Sequence, residues 1–197
     1  FVSDNGSTPS KTEHRTYAGF SVDKRSKRSP FERGLRTPIL LRWEGHVKPA
    51  THEELCSSVD IVPTILNALG LEENAAKMSG INLMPSACGQ TPLDSGRAVF
   101  GEVFHGDACG LRHPERDVAY SWVRRGCWKL VVPHSRDGEQ PWGRYLDEAA
   151  LYDVVEDPEE QANLIAMPDY SRVVAELREL LDDWWCIPNQ ASRSSTF

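Results

Sequence analysis

The stretch AYSWVRRGCWKLVV, residues 119–132, decides the fold class. Two runs rich in aromatic and β-branched residues, Ala119–Arg124 and Trp128–Val132, flank Arg125-Gly126-Cys127, a glycine-centred break short enough to close an antiparallel hairpin. Working outward, Ala98–Phe104 reads as a preceding strand. Leu151–Val154 reads as a following one, ended by the turn Asp157-Pro158-Glu159. Beyond it Val173, Val174, Leu177, Leu180, Leu181 and Trp184 recur at three- and four-residue steps. Pro168 and Asp169 or Ser171 stand ahead of them as start signals, so a helix is expected over 169–185. Glu176, Arg178, Glu179 and Asp182 fall on its outer face. The sequence from Ile187 to Phe197 loses all periodicity and reads as a loose tail.

Upstream of Gly96 the pattern is different. Phe1-Val2 resembles the end of a buried strand running into the polar turn Ser3-Asp4-Asn5-Gly6, and ligands of open α/β sheets bind at such strand ends. Residues 7–30 are polar, without period, and read as one long loop, the kind that is functional or mobile in a compact domain. Ile39–Trp43 reads as a short strand closed by Glu44-Gly45. Ser57-Ser58-Val59-Asp60 supplies cap oxygens for a helix carrying Ile61, Ile65, Leu66 and Leu69 on one face, with Pro63 in its first turn and Gly70 as its stop. Residues 71–97 are broken by Gly80, Pro85, Gly89, Pro92 and Gly96. A subdomain boundary is therefore expected near Gly96, dividing the chain into 1–95, 96–186 and the tail 187–197.

The 197 residues are 40% hydrophobic and 26% charged, the composition of a globular chain able to bury a core. With 22 Lys+Arg against 29 Asp+Glu the net charge is −7, which argues against nucleic acid as a partner; Lys24–Arg28 is the one local exception. No run of roughly 18 apolar residues occurs, so no membrane span is written here. The chain opens at Phe1 without a methionine and is expected to be part of something longer. The 5 cysteines include no CxxC pair, which argues against a thiolate zinc site and demands no disulfide framework.

Two constellations bear on chemistry. Asp4 and Asn5 offer a carboxylate and an amide oxygen, hard donors suited to Ca²⁺ or Mg²⁺, although Asp-Asn-Gly is equally an ordinary turn former. Lys27, with Arg33 and Arg36 nearby, suits an oxyanion such as sulfate or phosphate, although the same residues also suit a solvated basic loop. Arg36 also reads as a buried structural partner of Glu32. His14, His46 and His52 lie in loops or surface connections and read as solvated. Trp43, Trp128 and Trp184 are expected on core faces, while Trp142, in the loop Pro141-Trp142-Gly143, is the tryptophan considered for substrate contact.

The order of segments Phe1-Val2-Ser3-Asp4-Asn5-Gly6, Lys27-x-x-x-Phe31-Glu32-x-Gly34-x-Arg36-x-Pro38, Trp43-x-Gly45 and Ser58-Val59-Asp60-Ile61-Val62-Pro63-Thr64-Ile65-Leu66 resembles the type I sulfatase family of the alkaline phosphatase superfamily. Gly101-Glu102, Trp128-Lys129-Leu130, Leu151-Tyr152-Asp153 and Asp157-Pro158-x-Glu160-x-x-Asn163-Leu164 continue the likeness to about Trp185. The resemblance implies an α/β fold: residues 1–95 form the later part of a large mixed sheet domain, and 96–186 a small α+β subdomain with a four-stranded antiparallel sheet and a C-terminal helix. It implies that Asp4 and Asn5 are metal ligands, usually to Ca²⁺, and that Lys27 contacts the sulfate group and the leaving oxygen. Arg36 matches a structural position. The resemblance also implies that the segment after the strand Gly101-Glu102-Val103-Phe104 approaches the substrate pocket from the C-terminal subdomain, which makes His105 a candidate substrate-binding residue.

The departures from the family pattern matter as much. The formylglycine nucleophile of these enzymes arises from C/S-x-P/A-x-R, and no such site occurs in this chain. Cys186-Ile187-Pro188-Asn189-Gln190 has Gln190 where Arg is needed and lies after the terminal helix. The early paired aspartates and the remaining Lys and His residues are also missing, and Arg33 stands where Gly is usual. The expectation is a C-terminal fragment of a sulfuric ester hydrolase, inactive alone, whose parent is exported and acts on a sulfated small molecule or carbohydrate. A phosphoesterase or phosphonate hydrolase of the same superfamily is one alternative. A non-catalytic relative that binds sulfated glycans is the other.

Overall fold

The structure, a computed structural model, describes residues 1–3, 14–17, 20–23, 25–104, 112–134 and 142–185. In chain order they form β1 (His14–Tyr17), β2 (Phe20–Asp23), α1 (Glu32–Leu35), α2 (Ile61–Ala68), α3 (Glu72–Ala75), α4 (Met84–Ala87), β3 (Ala98–Phe104), β4 (Val118–Arg125), β5 (Trp128–Pro133), β6 (Ala150–Asp153) and α5 (Ser171–Trp184). The chain divides into two compact units, Phe1–Asp4 with Thr37–Val99, and Asn5–Arg36 with Phe100–Phe197. The second unit therefore takes in residues 25–36, which a division in chain order near Gly96 assigns to the first. The physical reason is the packing of that segment on the sheet, described below.

In the first unit α2 is the longest element, and Asp60 organises its start. Ser57 and Asp60 form a capping box around the turn Ser58–Asp60 that leads into the helix. The carboxylate is fully buried. Its Oδ2 accepts the Ser57 N–H at 2.8 Å and Arg97 Nη1 at 2.8 Å, while Oδ1 accepts the Ile81 N–H at 2.9 Å and Arg97 Nη2 at 2.7 Å. A bidentate guanidinium plus two amides satisfies a buried carboxylate fully, as its desolvation requires. Gly70 ends the helix region at φ +73°, the conformation expected of a glycine stop. Residues 39–43 do not form the expected strand. Ile39 makes one antiparallel bridge to Val2, and Leu40, Leu41 and Trp43 are exposed; a strand needs a ladder, and a single bridge supplies none.

In the second unit β3-β4-β5-β6 form one sheet in sequence order, with the β4–β5 and β5–β6 pairs antiparallel. The hairpin closes where the sequence placed it. Arg125 pairs with Trp128 across Gly126-Cys127, and Gly126 sits at φ +59°, a backbone that glycine adopts without steric cost. The registers put Tyr120, Trp122, Arg124, Lys129, Val131 and Tyr152 on one face, and Ser121, Val123, Leu130, Val132 and Leu151 on the other. Helix α5 packs on β4 and β5, burying Leu177 and Leu181. Residues 25–36 cover the opposite face, where Phe31 meets Tyr152 and Tyr145 edge-on at 6.3 and 6.1 Å between ring centroids. Coverage on both faces explains why β4 and β5 show no polar alternation in sequence.

The expected loop over 7–30 is also more structured than its composition suggests. It contains the β1–β2 hairpin, with Tyr17 paired to Phe20, and a packed turn at 26–29. Two tryptophans expected in the core are half-exposed and stack on neighbours: Trp43 lies 4.1 Å from the His46 ring, and Trp184 lies 5.2 Å from Phe100. No described helix is long and apolar enough to cross a membrane. The tail 187–197 lies outside the described residues.

Candidate functional site

Lys27 occupies the tip of a tight turn whose base is built into the second unit. Ser26 and Ser29 are buried, and the Ser26 carbonyl accepts both the Ser29 N–H at 3.0 Å and the Ser29 hydroxyl at 2.7 Å. Lys27 and Arg28, between them, are exposed. Arg28 sits at φ +71°, a left-handed backbone that a non-glycine residue adopts only when its surroundings impose it. Gly34 lies directly beneath the turn. A Cβ there would come within 2.3 Å of the Ser26 carbonyl oxygen, so only glycine allows this approach.

The turn continues into Pro30, Phe31 and α1, and this segment is fastened by a cluster of buried charges. The Lys129 ammonium, fully buried on β5, lies 2.9 Å from Glu160 Oε1 and 3.1 Å from Glu32 Oε1. Glu32 Oε2 accepts from Arg124 Nη1 at 2.6 Å, and Glu160 Oε2 accepts the Glu32 backbone N–H at 2.6 Å. Lys129 also faces the Trp122 ring, 5.6 Å from its centroid. At the rim Arg25 donates to the carbonyls of Glu159 and Glu160 and lies 4.5 Å over the Phe31 ring, while Arg33 pairs with the Glu159 carboxylate. Burial pushes the Glu160 carboxyl above the ordinary carboxylate range, and the Lys129 ammonium pulls it back. Glu160 sits at φ +54°, and its carboxylate reaches the backbone N–H of Glu32.

This geometry corrects the expected role of Arg36. Its side chain is exposed, and Glu32 pairs with Arg124 and Lys129 instead. Sequence reasoning gave Lys129 and Glu160 no role. The available signal was a lysine inside the otherwise apolar run Trp128–Val132, since a buried ammonium requires carboxylates nearby.

Asp4, Asn5 and His105 lie outside the described residues, as does Cys186. Trp142 is described only as backbone of the turn Trp142–Arg144. Among the described residues no group of three or more His, Cys, Asp or Glu side chains is arranged to hold a metal ion. The donor chemistry of Asp4 and Asn5, two oxygens of hard character, fits Ca²⁺ or Mg²⁺. What the described arrangement can do chemically is present an ammonium group to solvent from a base that cannot easily shift. An oxyanion is the ligand such a point charge suits.

Comparison with known proteins adds lineage to this geometry. A family model described as N-sulphoglucosamine sulphohydrolase, C-terminal, matches residues 22–185. Arylsulfatase A of Bos taurus is 27% identical over 180 residues, covering 86% of this chain and 33% of that protein. Delta 4,5-hexuronate-2-O-sulfatase of Bacteroides thetaiotaomicron is 31% identical over 137 residues, covering 70% of this chain and 25% of that protein. Among solved structures, one in complex with its substrate D-glucosamine-2-N,6-O-disulfate matches with a TM-score of 0.63 over 84% of this chain and 30% of its own, at 24% identity, a likeness of fold. The chain thus spans about a third or less of the length of these curated relatives.

Proposed function

The chain belongs to the N-sulphoglucosamine sulphohydrolase, C-terminal family, and on that premise we propose that it is the C-terminal part of a sulfatase that hydrolyses sulfate esters. Residues 1–95 are then its share of the catalytic domain and 96–186 the C-terminal subdomain, to which residues 25–36 are lent. The observation that carries the reading is the Lys27 turn: an exposed ammonium on a base whose parts, Glu32, Gly34, Lys129 and Glu160, all stand in segments that resemble the sulfatase pattern.

In this reading Lys27 contacts the sulfate group and holds charge that grows on the leaving oxygen as the S–O bond breaks. Asp4 and Asn5 supply two oxygen donors for Ca²⁺ or Mg²⁺, which when bound polarises the sulfate oxygens. The nucleophile, a formylglycine, belongs to sequence outside these residues, and for that reason the 197-residue chain alone is inactive. His105 binds the substrate, a sulfated small molecule or sulfated carbohydrate. The parent is an exported protein, periplasmic, extracellular or lysosomal.

The test uses the full-length protein with an aryl sulfate. Because the Lys27 charge acts on the transition state more than on bound substrate, Lys27→Ala should lower kcat by about 10²–10³ while changing KM little. Near-unchanged turnover in the variant rejects the lysine assignment. Faster hydrolysis of a phosphate or phosphonate ester than of the sulfate ester favours the phosphoesterase alternative, and binding of a sulfated glycan without hydrolysis favours a non-catalytic one.

A further inference from the structure

We propose that Glu32, Lys129 and Glu160 are positioning residues for Lys27, forming a buried ionic latch that fixes the lysine-bearing turn to the C-terminal sheet. The inference rests on the reading of Lys27 given above and adds a task for the sheet itself. Three separate pieces of sequence converge on the latch: α1 brings Glu32, β5 brings Lys129, and the turn after β6 brings Glu160. Each oxygen has an assigned donor. Glu160 spans from the Lys129 ammonium to the Glu32 amide, and Glu32 spans from Lys129 to Arg124.

Such a cluster is an unusual way to gain stability, because taking these charges out of water costs about as much as their attraction returns, and apolar residues of similar volume often do as well. Its distinctive property is geometric. A buried carboxylate with every oxygen bonded has one low-energy placement, whereas an apolar contact tolerates small sliding. The latch lies a few residues from the point that needs such placement. From Glu32 the chain runs back through the buried Phe31, Pro30 and Ser29 to the turn, and Gly34 closes against Ser26 from the other side. The turn is thus held at both of its ends while Lys27 itself stays exposed. Arg28 in a left-handed backbone is consistent with a turn shaped from outside rather than by its own preference.

A positioning role differs from a merely structural one in a measurable way. If the latch acts through Lys27, removing it should cost nothing further once Lys27 is gone, because coupled residues are non-additive. The experiment compares Glu160→Gln, Lys27→Ala and the double variant in the full-length protein, with kcat and KM for an aryl sulfate expressed per folded molecule. The expected result is a loss in kcat of about 10–10²-fold for Glu160→Gln, the scale of a displacement of about 1 Å, with KM little changed. The double variant should then equal Lys27→Ala alone. If Glu160→Gln does not fold, Arg124→Gln removes the guanidinium that donates to Glu32 Oε2 and should show a smaller loss with the same non-additivity. Equal fold-losses in the presence and absence of Lys27 overturn the positioning role and leave the Lys27 assignment intact. A folded Glu160→Gln with unchanged kcat also overturns it. An inert Lys27→Ala substitution overturns the Lys27 assignment, and the latch's role in catalysis with it.

Discussion

At the scale of single residues, burial decides which polar groups carry consequences. His134 follows β5, and its Nε2 lies 2.8 Å from the Ser121 hydroxyl, a hydrogen bond whose direction follows the ring's tautomer. Burial first, and then the Arg178 guanidinium, lower its pKa from 6.5 to about 4. The unfolded chain therefore binds the proton more tightly than the folded one. Stability conferred by the neutral ring is complete above pH 6.5 and is lost as pH falls from 6.5 toward 4. Relative to His134→Gln, the protein should lose about 2 kcal/mol more unfolding free energy between pH 7 and pH 5. Urea titrations of both proteins at the two pH values measure the difference, and parallel losses would mean that the ring titrates normally. Residues were also the scale at which sequence reasoning did least well. Lys27, Glu32 and Gly34 are visible in their segment, but the partners of Glu32, namely Arg124, Lys129 and Glu160, all lie more than 90 residues away and no local pattern specifies them.

Among elements, those built on local periodicity were legible and those needing distant partners were not. The expected helix over 169–185 is α5, preceded by the turn Pro168–Tyr170, because its apolar spacing and its exposed charges agree. The hairpin over 119–132 is β4 and β5, because one glycine in the right place fixes the register. Ile39–Trp43 has strand composition without a ladder, and the β1–β2 hairpin lies in a polar segment whose one alternation, Phe20-Ser21-Val22-Asp23, is too short to reveal it. The packing of α5 makes a contrast testable. Leu177 is 3% exposed against the sheet, so Leu177→Ala should cost about 2–4 kcal/mol of unfolding free energy. Arg172 is 89% exposed and pairs with Glu176 one turn away, so Arg172→Ala should cost less than about 0.5 kcal/mol. Chemical denaturation followed by far-UV circular dichroism separates the two. Similar losses for both would place α5 off the sheet.

For the whole molecule, the two units differ in how completely each covers its own apolar surface. The second unit buries Phe31, Tyr120, Val123, Leu130, Val131, Leu151, Tyr152, Leu177 and Leu181 in layers on both faces of one sheet. In the first unit the buried apolar side chains among the described residues are Ala75, Leu83 and Val99, beside the fully buried Pro63. Its principal helix carries Val62 and Ile65 at 49% and 51% exposure, Leu69 at its C-terminal cap is 67% exposed, and Leu40, Leu41 and Trp43 are exposed as well. Apolar area removed from water is the main favourable term in folding, so this unit has the smaller reserve against opening. Exposed patches of this kind also drive association. The 197-residue chain produced alone should therefore express poorly or aggregate. In its soluble fraction the slowest-exchanging amides should fall between Ala98 and Trp185, above all in β4 and β5, while α2 exchanges faster by at least an order of magnitude. Hydrogen exchange read by mass spectrometry at peptide resolution decides the matter. Protection of Ile61–Ala68 equal to that of Val118–Arg125 would show that the first unit is stable on the contacts present in this chain, and the inference from its exposed apolar face would fail.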